Sequence, residues 1–238
     1  MIDWTRIRAL TFDCYGTLVD WETGILRDLK LGLISRFGKP IEGSISDEEL
    51  LRLYAQAEPA AQSVTYRSYK EVLKTTLDRV SAAAHFKVRD LDALWKGLPS
   101  WPVFEDTAEA LARLSARFMI NIVTNCDRDL FAATALTLGV APAMVVTAED
   151  VQAYKPSPKP FEEMLARLAA KGVAKDEIVH VSSSRFHDLV PAKGLGLLAV
   201  LIERAGFRRG GATPTATNAA TPDLVTTSLA ALADAALA

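Results

Sequence analysis

Several polar side chains that could do chemistry come directly after apolar runs in this sequence. The first such segment, residues 9–20 (ALTFDCYGTLVD), carries a lone carboxylate at Asp13 and a glycine turn at Gly16 and Thr17. Backbone N–H groups of a tight turn can face an anion while the carboxylate stays accessible at the end of the strand. An aspartate placed in this way can act as a nucleophile, or it can cap the turn that follows it. This segment alone leaves both interpretations open.

A second charged group, Lys155, lies in the segment AYKPSP. The proline after it disfavours a helix at the lysine, and Ser157 and Pro158 can cap and start the next helix. The lysine is therefore expected on a loop, either in solvent or at the site. A cation beside Asp13 would keep that carboxylate ionised and would offset charge at the reacting centre.

Three more polar residues follow apolar runs, namely Thr124, Asn125 and Asp188. The hydroxyl group of Thr124 and the amide of Asn125 suit a carboxylate or a leaving anion, and they equally suit the N-terminus of a helix predicted from Asp127. Asp188 can orient Lys155, position a water molecule or bind a metal, or it can cap a helix. The residue types alone do not choose between these roles.

Four residues near these segments give weaker signals. His180 lies within an apolar run and is typical of a packed histidine, whereas His187 lies beside Asp188 and is better placed for a site. Trp21 and Glu22 follow the first segment directly, and they either form a wall of the crevice or pack against a hinge.

The elements that must position these residues alternate between short apolar runs and longer segments of helical period, a pattern typical of a parallel sheet with crossover helices. The predicted strands are residues 8–12, 119–124, 144–147, 178–182 and 197–202. The predicted helices between them are residues 107–116, 128–138, 158–171 and 189–194. Because ligands bind beyond the carboxyl ends of the strands in such a sheet, the four polar segments should meet at one edge.

The interval from about residue 20 to residue 99 breaks this alternation. It holds four helical patterns, at residues 24–37, 47–59, 66–85 and 90–96, and no convincing strand. We therefore expect an all-helical insert, with a hinge near residues 98–102, where two prolines interrupt the pattern. A loop over residues 208–222, rich in Gly, Thr, Ala and Pro, is expected before a last short strand and a helix over residues 228–236.

The composition excludes several classes of protein. The chain has 238 residues, 27 Lys and Arg against 29 Asp and Glu, and a formal charge of -2, with no basic stripe for nucleic acid. It has no apolar run of about 18 residues and no basic region followed by an apolar one at its start, so we expect a cytoplasmic protein without a membrane partner. Its two cysteines, Cys14 and Cys126, are expected to be buried thiols.

Taken together, the four polar segments resemble the four motifs of the haloacid dehalogenase superfamily. They are DCYGTLVD from Asp13, VTNCD around Thr124, YKPSP around Lys155 and HVSSSRFHD ending at Asp188. The resemblance implies an α/β fold, with a Rossmann-like core of parallel sheet flanked by helices (residues 1–19 and 100–238, the core). It also implies an inserted helical cap (residues 20–99, the cap) that closes over the site and excludes water.

The resemblance further implies that Asp13 is a nucleophile that forms a covalent ester, which water then cleaves. Most phosphatases of the superfamily carry a second aspartate two residues after the nucleophile, where it protonates the leaving group. Tyr15 stands at that position here. A halide needs no proton to leave, and tyrosine at this position is similar to the L-2-haloacid dehalogenase branch. That branch converts small 2-haloalkanoic acids into 2-hydroxy acids.

The same resemblance implies roles for the individual residues. Lys155 orients Asp13, Thr124 and nearby backbone N–H groups hold the substrate carboxylate, Asn125 faces the leaving group, and Asp188 places Lys155 or the water. The residues expected to contact substrate are Tyr15, Thr17, Thr124, Asn125, Ser183, Ser184, Trp21 and His187. No metal or other cofactor is required for this chemistry, and the branch suggests a homodimer.

The sequence also departs from this branch. The cap segment that aligns with the usual halide-binding arginine, residues 53–58, has no arginine, although Arg52 or Arg67 could substitute. Ser184 replaces a usual asparagine, and Trp21 is not the usual residue after the first motif. A related enzyme could therefore displace another group, such as the ring nitrogen of a strained cyclic amino acid. Such a nitrogen needs a proton, and Tyr15, His187 or Glu22 would be its donor.

Three alternatives of other kinds stay open. A phosphatase of this fold would bind Mg²⁺ through Asp13, the backbone carbonyl of Tyr15 and Asp188. A phosphonate hydrolase would need a Schiff-base lysine in the cap, for which Lys70 and Lys74 are candidates. A protein that keeps the fold can also bind a ligand without catalysis, since fold does not determine function.

Overall fold

A computed structural model describes residues 2–63, 65–204 and 220–238. The strands are β1 (Ala9–Phe12), β2 (Leu33–Ile34), β3 (Lys87–Val88), β4 (Met119–Thr124), β5 (Met144–Thr147), β6 (Ile178–Ser182), β7 (Leu198–Ile202) and β8 (Leu224–Thr226). Within the described residues, six of them form one parallel sheet of order β5-β4-β1-β6-β7-β8. The predicted α/β fold with a parallel sheet is confirmed. Most of the loop predicted over residues 208–222 lies outside the described residues.

The sheet is central to the core because its middle strands are buried and mostly apolar. All residues of β1 and β6 are buried, as expected for strands that are covered on both faces. β1 pairs with β4 on one side and with β6 on the other, so that Ala9 lies opposite both Met119 and Ile178. The carboxyl ends of these three strands therefore lie side by side, which brings the first, second and fourth polar segments together.

The α-helices flank the sheet or build the cap. They are α1 (Trp21–Gly32), α2 (Asp47–Gln62), α3 (Tyr69–Ala83), α4 (Ala93–Gly97), α5 (Thr107–Ser115), α6 (Arg128–Ala135), α7 (Ala148–Val151), α8 (Lys159–Ala170), α9 (Val190–Gly194) and α10 (Leu229–Leu237). Shorter 3₁₀ turns lie at Trp4–Arg6, Leu98–Ser100 and Lys175–Glu177, and a π-helical turn lies at Arg185–Leu189. Among the described helices none is long and apolar enough to cross a membrane.

Helices α1 to α4 lie in the segment predicted as the cap, and α2 and α3 pack against each other. The cap is not all-helical, however, because β2 and β3 form an antiparallel pair with Leu33 opposite Val88. Leu33 directly follows α1 with an extended backbone and is buried. A strand of two residues is too short for an alternating pattern to reveal it. The division of the chain into core and cap domains stays a prediction.

A carboxylate of the core accepts hydrogen bonds from the first turn of a helix in the cap domain. The Asp127 side chain accepts hydrogen bonds from the backbone N–H groups of Tyr69 at 2.7 Å and Lys70 at 3.0 Å, at the start of α3. Ser68 and Glu71 complete the same helix end with a reciprocal capping box. Asp127 therefore ties the cap to the loop after β4, close to the predicted site.

We expect Asp127→Ala to lower the free energy of unfolding by about 0.5–2 kcal/mol, because it leaves two N–H groups at the start of α3 without their acceptor. Urea unfolding at neutral pH measures this difference. Asp129→Ala is the matched control, since Asp129 forms an exposed ion pair with Lys70, and such pairs contribute about 0–1 kcal/mol. A loss for Asp127→Ala no larger than that for the control would contradict a stabilising role for the two hydrogen bonds that Asp127 accepts from α3.

Candidate active site

Asp13 lies at the carboxyl end of β1 and is almost fully buried, with 7% of its surface exposed. Its Oδ2 atom accepts a hydrogen bond from Thr17 Oγ1 at 2.8 Å, and its backbone N–H bonds to the carbonyl oxygen of Val181. Gly16 has a φ of +94°, a conformation that glycine adopts without strain. The turn therefore brings Thr17 back to Asp13 and holds the carboxylate in one orientation.

Lys155 bridges the two carboxylates of the site. Its Nζ atom lies 2.8 Å from Asp13 Oδ1, 2.7 Å from Asp188 Oδ1 and 2.9 Å from the carbonyl oxygen of Val123. The Asn125 side chain holds the lysine backbone, because Oδ1 accepts from Lys155 N at 2.7 Å and Nδ2 donates to Lys155 O at 3.0 Å. Lys155 is only 1% exposed, so it is not a solvated loop lysine.

A buried hydrogen-bonded chain continues from Asp188 into the sheet. His180 Nε2 lies 3.1 Å from Asp188 Oδ1, and His180 Nδ1 lies 2.9 Å from Thr11 Oγ1. All three residues are inaccessible to solvent. His180 is therefore a packed histidine, as its apolar surroundings predict, and it also helps to position Asp188.

The pKa shifts follow from burial and from this single shared ammonium. Burial raises the pKa of Asp13 above its usual value, although Lys155 opposes that shift. Burial acts in the same sense on Asp188, but the contacts with Lys155 and His180 outweigh it and hold its pKa well below the usual range. The pKa of Lys155 is raised, because the two carboxylates outweigh its desolvation. The triad of Asp13, Lys155 and Asp188 thus carries a net negative charge when ionised.

Above Asp13 lies a small cavity of about 40 Å³, enough for a few water-sized atoms. Its lining residues are Asp13, Tyr15, Trp21, Glu58, Tyr69, Asn125, Lys155, Ser183, Ser184, His187 and Asp188. Most of the residues predicted for the site therefore converge on one cavity. Its size fits a substrate of a few heavy atoms.

Thr17 and Thr124 are predicted substrate contacts that do not line this cavity. Thr17 is fully buried and bonds instead to Asp13 and to the backbone N–H of Ser183. Thr124 is fully buried too, and its hydroxyl oxygen has no partner among the described residues. Trp21, by contrast, lines the cavity, and its indole N–H has no protein acceptor in the described part of the chain.

Tyr15 and His187 line the cavity but are poor proton donors. The Tyr15 hydroxyl lies 2.9 Å from Thr134 Oγ1 and accepts a hydrogen bond from the Cys126 thiol, with a distance of 3.6 Å to Sγ. Burial raises the pKa of Tyr15 well above its usual value. Burial lowers the pKa of His187 to about 4, so its imidazole is neutral at physiological pH. Cys14 and Cys126 are buried free thiols, as predicted.

Glu58 and Tyr69 line the cavity, and the motif analysis missed both of them. Glu58 lies on α2 and is 4% exposed. It lies at helical spacing from Leu51 and Tyr54, on the buried face of that helix. A carboxylate on the apolar face of an amphipathic helix is the signal that could have revealed it, because unpaired acidic residues are almost never fully buried.

The core side of the cavity offers a divalent cation two carboxylates, Asp13 and Asp188. Among the described residues no group of three or more His, Cys, Asp or Glu side chains could hold a metal ion. Mg²⁺ in proteins binds through one or two carboxylates and substrate phosphates. Here both Asp13 and Asp188 already bond to the Lys155 ammonium.

Comparison with known proteins places this chain in a family. Residues 7–196 match the family model described as haloacid dehalogenase-like hydrolase. The chain belongs to this family. The match confirms the superfamily resemblance and includes all four motifs. Among curated relatives of this family, (S)-2-haloacid dehalogenase 4A of Burkholderia cepacia is 28% identical over 216 residues, covering 87% of this chain and 86% of its own length.

Solved structures of the haloacid dehalogenase family have the same fold. A dehalogenase that is 25% identical superposes with a TM-score of 0.78, covering 98% of this chain and 97% of its own. The L-2-haloacid dehalogenase of Xanthobacter autotrophicus with covalently bound chloropropionic acid is 20% identical, with a TM-score of 0.79 over 96% of this chain and 97% of its own. At that identity the likeness shows the shared fold.

Within the described residues, no arginine lines the cavity. Arg52 pairs with Glu49 at the surface, with Nη2 2.5 Å from Oε1. Arg67 Nη2 donates to the carbonyl oxygen of Ala61 at 3.0 Å. Neither arginine therefore lines the cavity, and from the segment over residues 53–58 it is Glu58 that does.

Proposed function

We propose that this protein hydrolyses small 2-substituted carboxylic acids through a covalent ester on Asp13, with halide as the leaving group in the simplest case. The observation that carries the proposal is the arrangement of Lys155, whose ammonium bonds to Asp13 and Asp188 at the floor of the cavity. This contact orients Asp13 and favours its ionised form against the effect of burial. The residue two positions later is Tyr15, not an aspartate.

In the first step an oxygen of Asp13 attacks carbon 2 from the side opposite the leaving group. The new O–C2 bond forms as the C2–halogen bond breaks, and the halide takes the bonding electron pair. The attack inverts carbon 2 and leaves Asp13 as a neutral ester. Thr17 and Lys155 hold the two carboxylate oxygens, so little orientational freedom is lost when the substrate reacts.

In the second step water attacks the carbonyl carbon of the Asp13 ester, and the bond between that carbon and the oxygen on carbon 2 breaks. One proton of the water goes to the hydroxyl group of the 2-hydroxy acid, and the other leaves to solvent as Asp13 becomes a carboxylate again. Asp188 lines the cavity, and its Oδ2 atom has no partner among the described residues. Because the pKa of Asp188 is lowered, this oxygen stays an acceptor and can orient the attacking water. The substrate carboxylate has a donor in the Trp21 indole N–H, which lines the same cavity.

Two alternatives receive less support from this geometry. A phosphonate hydrolase would need a lysine of the cap at the cavity, and neither Lys70 nor Lys74 lines it. Lys70 forms an ion pair with Asp129, and Lys74 Nζ lies 3.0 Å from Asp92 Oδ1. A phosphatase would lack its usual second aspartate at Tyr15.

Halide release from L-2-chloropropionate and chloroacetate tests the proposal. We expect release with each acid, and an equal rate in excess EDTA, because no step uses a metal. Hydrolysis of p-nitrophenyl phosphate that requires Mg²⁺, together with no halide release, would contradict it and would favour the phosphatase alternative.

A further inference from the structure

His180 is a buried histidine whose two ring nitrogens both have partners in the core. Nε2 lies 3.1 Å from Asp188 Oδ1, and Nδ1 lies 2.9 Å from Thr11 Oγ1. The ring also packs against Phe161 in an edge-to-face arrangement, with 4.9 Å between the ring centroids. None of these four residues has exposed surface. The imidazole is therefore held in one orientation, in which one nitrogen reaches Asp188.

The partners of His180 determine which nitrogen carries a proton. Asp188 is ionised, because the contacts with Lys155 and His180 hold its pKa well below the usual range, and an ionised carboxylate only accepts hydrogen bonds. We therefore assign a proton to Nε2, which donates to Asp188 Oδ1. The Thr11 hydroxyl can donate or accept, so it can donate to Nδ1 of the neutral imidazole. Thr11 thus supports the tautomer that Asp188 requires.

The two carboxylate oxygens of Asp188 have different surroundings. Oδ1 accepts from Lys155 Nζ at 2.7 Å and from His180 Nε2 at 3.1 Å. Oδ2 is buried and has no partner among the described residues. Asp188 lines the catalytic cavity, which has room for water-sized atoms. The two donors on Oδ1 leave Oδ2 as the free acceptor of this carboxylate.

Lys155 alone would not distinguish the two oxygens of Asp188. Its ammonium is a compact point charge that either oxygen can accept, and it also bonds to Asp13 and to the carbonyl oxygen of Val123. The last torsion of an aspartate side chain is soft, so a turn of the carboxyl group would exchange Oδ1 and Oδ2. The imidazole of His180 is a second, directional donor. With both donors on Oδ1, that turn costs a hydrogen bond.

We infer that His180 is a positioning residue for ester hydrolysis, the second step of the reaction, and that Thr11 assists it. By holding Oδ1 of Asp188, the imidazole keeps Oδ2 free for the water that attacks the Asp13 ester. This inference rests on the proposed two-step hydrolysis. His180 gains and loses no proton, so the bonds that form and break are unchanged. The attack of Asp13 on carbon 2 does not use Oδ2 of Asp188, and it should depend on His180 far less.

A single turnover of L-2-bromopropionate, with enzyme in saturating excess, measures the two steps separately. The appearance of bromide gives the rate of ester formation, and the appearance of 2-hydroxypropionate gives the rate of ester hydrolysis. In His180→Phe we expect hydrolysis to slow by about 10²-fold, the scale of loss when a reacting group is misplaced by about 1 Å. Bromide release should change much less. Mass spectrometry of quenched samples should then show the variant accumulated as its Asp13 ester.

Two further variants separate hydrogen bonding from packing. The amide of glutamine offers an N–H donor near the position of Nε2, so His180→Gln should restore ester hydrolysis to within about tenfold of the wild type, the scale of one hydrogen bond. Thr11→Val keeps the imidazole and removes only the partner of Nδ1. It should slow ester hydrolysis without slowing bromide release, and it tests the same chain of contacts if the variants of His180 do not fold.

Thr76→Val is the matched control for Thr11→Val. It removes the hydroxyl group of another fully buried threonine, which bonds to the carbonyl oxygen of Val72 at 2.8 Å within α3. Thr76 does not line the catalytic cavity, so neither rate should change. A ratio of the two rates in His180→Phe equal to that of the wild type, or no recovery in His180→Gln, would overturn the role of His180. Wild-type turnover in H₂¹⁸O that leaves Asp13 unlabelled would instead overturn the proposed function.

Discussion

Replacing Asp13 with asparagine should lower halide release by about 10⁴–10⁶-fold, the scale of loss seen when a central catalytic side chain is removed. The amide of asparagine is a poor nucleophile, so the bond to carbon 2 does not form. Its oxygen can still accept from Thr17 or Lys155, and the fold should be retained. Halide release and circular dichroism, measured on the same preparation, test both statements.

Asp20→Asn is the matched control for this variant. Asp20 ends the same sequence segment, but its carboxylate caps α1 by accepting from the backbone N–H of Thr23 at 3.2 Å and from its hydroxyl at 2.7 Å. It does not line the catalytic cavity, so its rate should stay within tenfold of the wild type. A rate for Asp13→Asn as high as that of Asp20→Asn would contradict nucleophilic catalysis by Asp13.

Lys155→Met should remove activity and also destabilise the fold. The substitution leaves Asp13 and Asp188 buried side by side without their shared ammonium, since Lys155 is only 1% exposed. Removing one partner of a buried ion pair costs about 3–5 kcal/mol. We therefore expect the free energy of unfolding at neutral pH to fall by about that amount, as measured by urea denaturation.

The pH dependence of this loss has a definite sign. In the wild type the lowered pKa of Asp188 contributes stability above the unfolded-state pKa, and this contribution is lost as the pH falls. In Lys155→Met both carboxylates should have raised pKa values, so the folded variant takes up protons and gains stability as the pH falls. The difference between the two proteins should thus shrink toward acid pH. Lys159→Met, at an exposed lysine, should change stability by no more than about 0.5 kcal/mol at any pH.

The strands and the convergence of the motifs could be predicted because both follow from local patterns. β4, β5 and β6 have the predicted bounds, since continuous apolar runs are typical of strands covered on both faces. The parallel arrangement then determines where polar residues at strand ends must meet. Asp13, Lys155 and Asp188 can be assigned to one edge of the sheet in this way from the sequence.

The remaining features depend on contacts between segments that are far apart in the sequence. The hydrogen bond between Thr11 and His180 joins residues 169 positions apart. The acceptor for the first N–H groups of α3 is Asp127, which lies 58 positions from Tyr69 in the sequence. The hydrophobic periodicity of a segment does not indicate which distant residue it will contact. Glu58 ends the segment over residues 53–58, which lacks the expected arginine. Its place at the cavity depends on where the cap is placed over Asp13, which the helical pattern does not determine.

The central claim, a covalent ester on Asp13, is tested most directly by a single turnover of L-2-chloropropionate in H₂¹⁸O, with enzyme in excess over substrate. Mass spectrometry of the peptide that contains Asp13 then shows where the water oxygen went. Water that attacks the ester carbonyl places ¹⁸O in the Asp13 carboxylate and leaves the first product unlabelled, and this is the result we expect. Labelled 2-hydroxy acid together with an unlabelled Asp13 peptide would show direct attack of water on carbon 2, and it would contradict the covalent mechanism.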